Sequence, residues 1–195
     1  SGATKRELAE ALREDIRNFK AANDCDRMVI IWCASTEIFI EAGPTHDNLE
    51  AFEAAMEAND ESIAPSMVYA YAALKEGVPF INGAPNLTVD IPAMTELANA
   101  AGVPVCGKDF KSGQTLLKTV LAPMLKARML GLAGWYSTNI LGNRDGRVLS
   151  DPANKASKVK SKDALLAELL GYRPQSLVSI EFVESLDDWK TAWDH

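Results

Sequence analysis

The segment Gly107-Lys108-Asp109-Phe110-Lys111-Ser112-Gly113-Gln114-Thr115 sets an acid and a lysine immediately before what reads as a helix start. Upstream, Val103-Pro104-Val105-Cys106 has the character of a short buried strand, and Leu116 to Met129 that of an apolar-rich helix. A strand-to-helix turn aims free backbone N–H groups, and the positive end of the helix dipole, at whatever lies above it. Lys111 adds a full positive charge there, and Asp109 can accept hydrogen bonds from a neutral or cationic group. The natural occupant is an anion such as a phosphate ester. The alternative is a lysine that is solvated or paired with Asp109. Lys118 lies two helical turns beyond Lys111 and projects from the same side. Lys158, Lys160 and Lys162 read, from composition alone, as a solvated basic run; Lys158 and Lys162 share one face if that segment is helical.

The elements that must position these residues alternate between strand and helix. Thr4-Lys5-Arg6-Glu7 has the form of a capping box, followed by Leu8, Leu12, Ile16 and Phe19 at helical spacing, so a surface helix packed through one stripe is expected. Met28–Cys33 is a continuous apolar run, as in a strand covered on both faces of a parallel sheet. Asp47-Asn48-Leu49-Glu50 opens a helix with Leu49, Phe52 and Met56 inward. Another helix runs from Pro65 to Glu76 and stops at Gly77, and Val78–Asn82 follows as a strand. Pro92 suits a first helical turn and Gly102 a helix stop. The helix after Lys111 contains Pro123, which predicts a bend. Leu132–Ile140 reads as a strand, Ser161–Leu170 as a helix ended by Gly171, and Leu177–Val183 as a strand. Asn143 and Asp145 sit in a Gly-bounded loop that reads as a turn, and Ser150–Asn154 as turn-rich. The fold class is α/β, with a largely covered sheet.

Composition narrows the function classes. A chain of 195 residues with 47% apolar and 24% charged residues is long enough to bury a core, as one domain or two unequal ones. A net charge of -7 argues against a general nucleic-acid surface, so positive charge near Lys111 and Lys158 must be local and suits a small anionic substrate. No apolar run is long enough to span a bilayer, so no membrane is expected. Cys25, Cys33 and Cys106 stand at unrelated spacings. Cys33 and Cys106, in apolar runs, read as reduced core residues, which points to a reducing cytoplasm. With only His46 and His195 as histidines, neither a Ser-His-Asp triad nor a multi-histidine metal site is expected. Acid–base and electrostatic work falls to lysines and carboxylates.

Asp109-Phe110-Lys111-Ser112-Gly113-Gln114-Thr115 resembles the signature of the inositol-phosphate synthase family. Further matches follow in family order: Ile30–Glu37, Ile63-Ala64-Pro65-Ser66, Ile81–Asn86, Asn139–Gly146 and the Ser-Lys pairs of Ser157–Lys162. The resemblance covers nearly the whole chain from about Met28. It implies an NAD-dependent isomerase that turns glucose 6-phosphate into inositol phosphate by oxidation at C5, enolisation at C6, closure onto C1 and reduction. It further implies the end of a Rossmann-like NAD-binding domain over residues 1–77. After it comes an α+β catalytic and tetramerisation domain over 78–195, resembling the dehydrogenase C-terminal domain, within a homotetramer.

Carried over by position, Lys111, Lys118, Lys158 and Lys162 are the candidate catalytic lysines, and Asp188-Trp189-Lys190 resembles the family's Asp-x-Lys, adding Asp188 and Lys190. Lysines beside developing oxyanions stabilise them without a metal, and an aspartate beside a lysine keeps it protonated; a surface ion pair is the other reading of Asp188 and Lys190. For the cofactor the match points to Ser35, Thr36, Ser66, Asn82, Asp109 and Asn139, with Thr36 and Ser66 alternatively plain helix caps. The chain departs from the family at Ala34-Ser35, Ala84 and Leu87. No G-x-G-x-x-G follows a strand, and the family carries its Gly-rich turn earlier and more core later. An internal portion of a larger protein, inactive by itself, is therefore expected. Two other functions stay open: a relative without turnover that serves as an oligomer-forming or ligand-sensing module, and another nicotinamide sugar-phosphate dehydrogenase.

Overall fold

The computed structural model of the chain describes residues 3–110 and 113–194. Residues through Ala34 and Ile40–Asp109 form one compact unit; Ser35–Phe39 and the chain from Phe110 form a second. The sequence placed a boundary at Gly77. The compact units instead part at Asp109–Phe110, because the strands after Gly77 hydrogen-bond into the first unit's sheet.

The first unit is a three-stranded parallel sheet with helical crossovers. Strands β1 (Ile30–Trp32), β2 (Phe80–Asn82) and β3 (Val105–Cys106) lie in that order, with Ile31 opposite Ile81 and Ile81 opposite Cys106. Helix α1 (Lys5–Ala22) precedes β1; α2 (Leu49–Glu57) and α3 (Pro65–Lys75) connect β1 to β2, and α4 (Pro92–Ala101) connects β2 to β3. The capping box forms as expected: Thr4 Oγ1 accepts from the Glu7 N–H, and the Glu7 carboxylate accepts from the Thr4 N–H. Pro65 and Pro92 begin their helices, and Gly102 ends α4 at φ 66°, a conformation that suits glycine. Phe52, Met56, Met67, Tyr71, Phe80 and Met94 are fully enclosed and make the core.

Two details depart from the sequence pattern. In α1 the docking stripe is Ala9, Leu12 and Ile16, while Leu8 and Phe19 remain 50% and 60% exposed. Small Ala9 lets α1 approach α3 closely, and Arg13 and Arg17 both reach Glu76 Oε1, at 2.6 and 2.7 Å. The second departure is β1, an edge strand with Ile31 half-exposed, so among the described residues it is not covered on both faces. Cys33 and Cys106 are free but exposed, being at or beyond strand ends and not in the core. His46 is fully buried in a 3-10 turn (Pro44–His46), where Nδ1 accepts from the Gly43 N–H and Nε2 meets the Ser62 carbonyl, so its work is structural.

The second unit is a mixed sheet. Strand β4 (Gly134–Leu141) is central, parallel to β5 (Gln175–Phe182) and antiparallel to β6 (Lys190–Asp194). Helices α5 (Gln114–Ala127) and α7 (Pro152–Leu170) pack against each other, and the short α6 (Arg144–Leu149) lies between β4 and α7 in the chain. Trp135, Ser137, Asn139 and Leu141 alternate onto the buried face of β4, as period-two geometry requires. Helix α7 starts well before Ser161: Asp151 accepts from the Ala153 N–H and Pro152 opens the first turn, so the turn-rich signal at Ser150–Asn154 is a helix cap. Likewise Asn143 is not a plain turn residue but caps α6, accepting from the Gly146 N–H. β1 and β4 belong to separate sheets.

Tyr71 ties α3 to α2. Its hydroxyl donates to Glu53 Oε1 at 2.6 Å, and burial together with that carboxylate pushes the phenol pKa up. Burial also pushes Glu53 upward, but the Tyr71 hydroxyl, Lys75 at 2.9 Å and Arg6 at 3.3 Å outweigh it and hold the carboxyl below its ordinary range. A carboxyl depressed on folding contributes stability above its unfolded pKa, and that stability is lost as pH falls through the folded value. Denaturant titrations are therefore expected to show Glu53→Gln destabilised at neutral pH, with its gap to wild type closing below the usual glutamate range. Tyr71→Phe should cost about 1–3 kcal/mol at neutral pH.

Candidate functional site

In the first unit the polar residues gather at the carboxyl edge of the parallel sheet, where ligands of open α/β sheets bind. Asn82 ends β2 with its side chain buried; Nδ2 donates to the Asn86 carbonyl at 2.9 Å and Oδ1 accepts from the Ala84 N–H at 3.0 Å. These bonds fold the 83–86 loop over the strand end. Ser66 is buried in the first turn of α3, where its Oγ lies 2.8 Å from Thr88 Oγ1, and Thr88 reaches the Asn86 carbonyl. Ala64, not Ser66, occupies the cap position of α3, so the helix-cap reading of Ser66 does not hold. The Asp109 N–H donates to the Ala84 carbonyl at 3.0 Å. Ser66, Asn82 and Asp109 are thus joined through one loop. Gly107 makes this possible: at φ 151°, a Cβ there would sit 2.8 Å from Asn82 Cβ and 3.0 Å from the Asn82 carbonyl oxygen.

In the second unit buried polar side chains gather at the start of α5. Lys111 and Ser112 lie outside the described residues, so the placement expected for Lys111 is not among those found. Gly113 gives the helix no side-chain cap, and the Thr115 hydroxyl is buried without a hydrogen-bond partner among the described residues. Gln114 is fully enclosed: its Nε2 donates to Asn139 Oδ1 at 3.0 Å and its Oε1 accepts from Ser137 Oγ at 2.6 Å. One turn on, Lys118 is also fully enclosed, its ammonium donating to the Lys162 carbonyl at 2.9 Å and lying 5.9 Å from the Trp135 ring centroid. Lys162 is itself buried. The structure therefore brings Lys118 and Lys162 together on facing helices. An enclosed ammonium needs hydrogen bonds or a counter-charge, and a ligand anion can supply one.

Lys158 faces Asp145 Oδ2 at 3.1 Å; Lys155 pairs with Glu181 at 3.7 Å, and Lys160 lies 4.3 Å from the Phe39 ring centroid. The solvated reading therefore holds only in part: Lys160 is exposed, whereas Lys158 is half-buried against Asp145 and Lys162 is buried. Thr36 is buried and neighbouring Ser35 exposed, in an irregular segment, so Thr36 caps no helix. Asp188 is exposed and borders a recess of about 560 Å³ with Asn143, Arg144, Arg147, Glu184 and Asp187. The Lys190 backbone pairs with Leu141 in β6. Gln114 and Thr115 have no separate role in the sequence pattern beyond their motif, and Asp145, which reads there as a turn residue, is found holding Lys158. The available signal was spacing: Gln114 and Lys118 stand one helical turn apart and so share a face.

A family model described as myo-inositol-1-phosphate synthase, an NAD-binding domain, matches residues 1–170. The inositol-3-phosphate synthase 1 of Bacteroides thetaiotaomicron is 52% identical over 204 residues, which cover 99% of this chain and 47% of the relative. The inositol-3-phosphate synthase of Saccharomyces cerevisiae is 36% identical, over 95% of this chain and 37% of its own length. The solved inositol-3-phosphate synthase of Caenorhabditis elegans superposes with a TM-score of 0.91 at 31% identity, covering 100% of this chain and 40% of that one. The chain spans less than half the length of each of these three. The likeness fits a Rossmann-like NAD-binding fragment.

The Gly107 contact generates a test of the first unit. Gly107→Ala should displace Asn82 and the 83–86 loop, with a stability cost of about 2–4 kcal/mol from overpacking and backbone strain. Equilibrium denaturation measures the cost, and the amide chemical shifts of Ala84 and Asp109 should move with it.

Proposed function

Because this chain belongs to the myo-inositol-1-phosphate synthase family, we propose that it is part of an NAD-dependent synthase that converts glucose 6-phosphate to 1D-myo-inositol 3-phosphate. The observation that carries the reading is the enclosure of Lys118 and Lys162 together, beside a helix start whose Thr115 hydroxyl has no partner among the described residues. A phosphate or sugar oxygen is the group such a set accommodates, with N–H groups, a hydroxyl and ammonium charge aimed at negative oxygen.

When bound, NAD would supply the hydride acceptor for the oxidation at C5 and the hydride donor for the final reduction. The residues of this chain hold the substrate, stabilise the enolate oxygen formed when a C6 proton leaves, and stabilise the C1 alkoxide formed on ring closure. Lys118 and Lys162 fit the oxyanion role, and Lys111 precedes the same helix in sequence. Lys158, held by Asp145, carries a fixed positive charge for the same anion. The resemblance adds Asp188 and Lys190 to the catalytic set. For the nucleotide, the first unit offers Ser66, Asn82 and Asp109 at its sheet edge; the resemblance also names Ser35, Thr36 and Asn139, which belong to the second unit. A homotetramer joined through the second unit's sheet accords with Tyr136 and Leu177 exposed on its open face. The free cysteines accord with a reducing, cytoplasmic setting.

The complete protein incubated with NAD+ and glucose 6-phosphate is expected to form inositol phosphate with no net NADH. Accumulating NADH would identify a dehydrogenase, and binding without either product a module that senses its ligands. Lys118→Met should keep the fold, because a neutral chain of similar length replaces a buried charge. Its turnover should fall by roughly 100-fold or more. Lys111→Ala should raise the barrier by roughly 3–4 kcal/mol. Turnover within a few-fold of wild type in either variant would give that lysine a structural role.

A further inference from the structure

The polar contact between α5 and β4 has a direction. Ser137 Oγ donates to Gln114 Oε1 at 2.6 Å, and Gln114 Nε2 donates to Asn139 Oδ1 at 3.0 Å. All three side chains are more than nine-tenths buried. A primary amide has one acceptor and one donor end, so fixing the first fixes the second. With Oδ1 committed to Gln114, the Asn139 NH2 is the end left over, and among the described residues it donates to nothing. It is also not one of the fully enclosed polar atoms left without a partner, so a ligand atom can reach it. The Thr115 hydroxyl beside Gln114 in the chain is left without a partner too.

We propose that Gln114 is a positioning residue that locks the Asn139 amide with its NH2 turned to an acceptor oxygen of the bound ligand. The inference rests on the ligand classes named under the proposed function, a nicotinamide nucleotide and a sugar phosphate, either of which carries acceptor oxygens. The Gln114 side-chain amide is taken up at both ends, by Ser137 and Asn139, so it acts through Asn139. Ser137 is the first member of the relay: its hydroxyl donates to Gln114 Oε1, and a reversed Gln114 would leave that proton without an acceptor among the described residues. The packed interior around Gln114 supports the lock, since its amide is fully enclosed and cannot exchange Ser137 or Asn139 for water.

The test inverts the relay. Gln114→Glu keeps shape and volume but, as the carboxylate, offers Asn139 only acceptors. Asn139 must then turn its NH2 inward and present Oδ1 to the ligand. Asn139→Asp reaches the same outward acceptor by a different route. Both variants are expected to lose roughly 10- to 100-fold in affinity for the ligand that Asn139 contacts, and in kcat/KM, with thermal stability close to wild type. The pH profile separates this role from a structural one. A protonated glutamic acid donates to Asn139 Oδ1 and accepts from Ser137, rebuilding the original polarity. Gln114→Glu should therefore recover as pH falls through the carboxyl's titration, while Asn139→Asp gains no comparable outward donor.

Dissociation constants for NAD+ and for glucose 6-phosphate, measured separately on the complete protein, tell whether the acceptor belongs to nucleotide or sugar. Wild-type affinity for both ligands in Gln114→Glu, or a loss that no acidification reverses, overturns the proposal. If wild type binds its ligands but forms no inositol phosphate, the synthase reading fails while the binding arm still decides the relay. If turnover is normal in wild type and in Gln114→Glu alike, the relay fails and the synthase reading stands.

Discussion

The second unit is organised around a charge carried into its interior. Lys118 has no exposed surface, and its ammonium is held by the Lys162 carbonyl with Trp135 nearby. Such a group is tolerated only where partners are fixed before it arrives. That requirement sets how α5 and α7 meet: the carbonyl acceptor comes from the middle of α7, and the aromatic ring from the face of β4 that both helices cover. Apolar contacts around Ala122, Leu166 and Leu170 then seal the seam without specifying it. Gln114 extends the same principle one turn earlier, anchoring the start of α5 to β4 through Ser137 and Asn139.

The first unit solves a different problem, that of holding loops at the ends of very short strands. Strands of two or three residues supply little ladder bonding, so the loop geometry depends on side chains. Asn82 acts as a clamp, using its donor on one side of the 83–86 loop and its acceptor on the other. Lys108 and Asp90, 2.7 Å apart, close the outer side. The absence of a side chain at Gly107 lets the chain after β3 pass against Asn82. Side-chain hydrogen bonds here take over the role that longer strands would give to backbone.

Sequence reasoning recovered the elements whose signals are local. The Thr4 capping box, the Pro65 and Pro92 starts and the Gly102 stop each depend on one or two residues and their neighbours, and all appear. What stayed hidden depends on partners far along the chain. The start of α7 was masked because Asp151-Pro152 reads equally as a turn and as a helix cap. Lys158 and Lys162 read with Lys160 as a solvated run until the fold sets Asp145 against Lys158 and encloses Lys162. Exposure of Leu8 and Phe19 follows from which face of α1 meets α3, and periodicity alone does not choose between adjacent faces. The candidate site was legible as residue types in motif order, whereas the roles of Gln114 and Asp145 required the fold.

The distribution of unsatisfied polar groups links the two kinds of information. Buried donors and acceptors almost always find partners, because leaving one bare costs free energy with nothing in return. In the second unit Gln114, Ser137 and Lys118 obey that rule. The Thr115 hydroxyl does not, and it follows Gln114 at the first turn of a helix that has no side-chain cap. Among the described residues the Ser176 hydroxyl and Trp32 Nε1 share that condition; what sets Thr115 apart is its place at an uncapped helix start, where an incoming oxygen would meet it together with free backbone N–H groups. The free end of Asn139 has the same logic but a different origin: its orientation follows from satisfying its other end. Internal hydrogen bonds thus do two things at once in this unit. They hold the helices to the sheet, and by exhausting one end of each polar group they determine which end a ligand will meet.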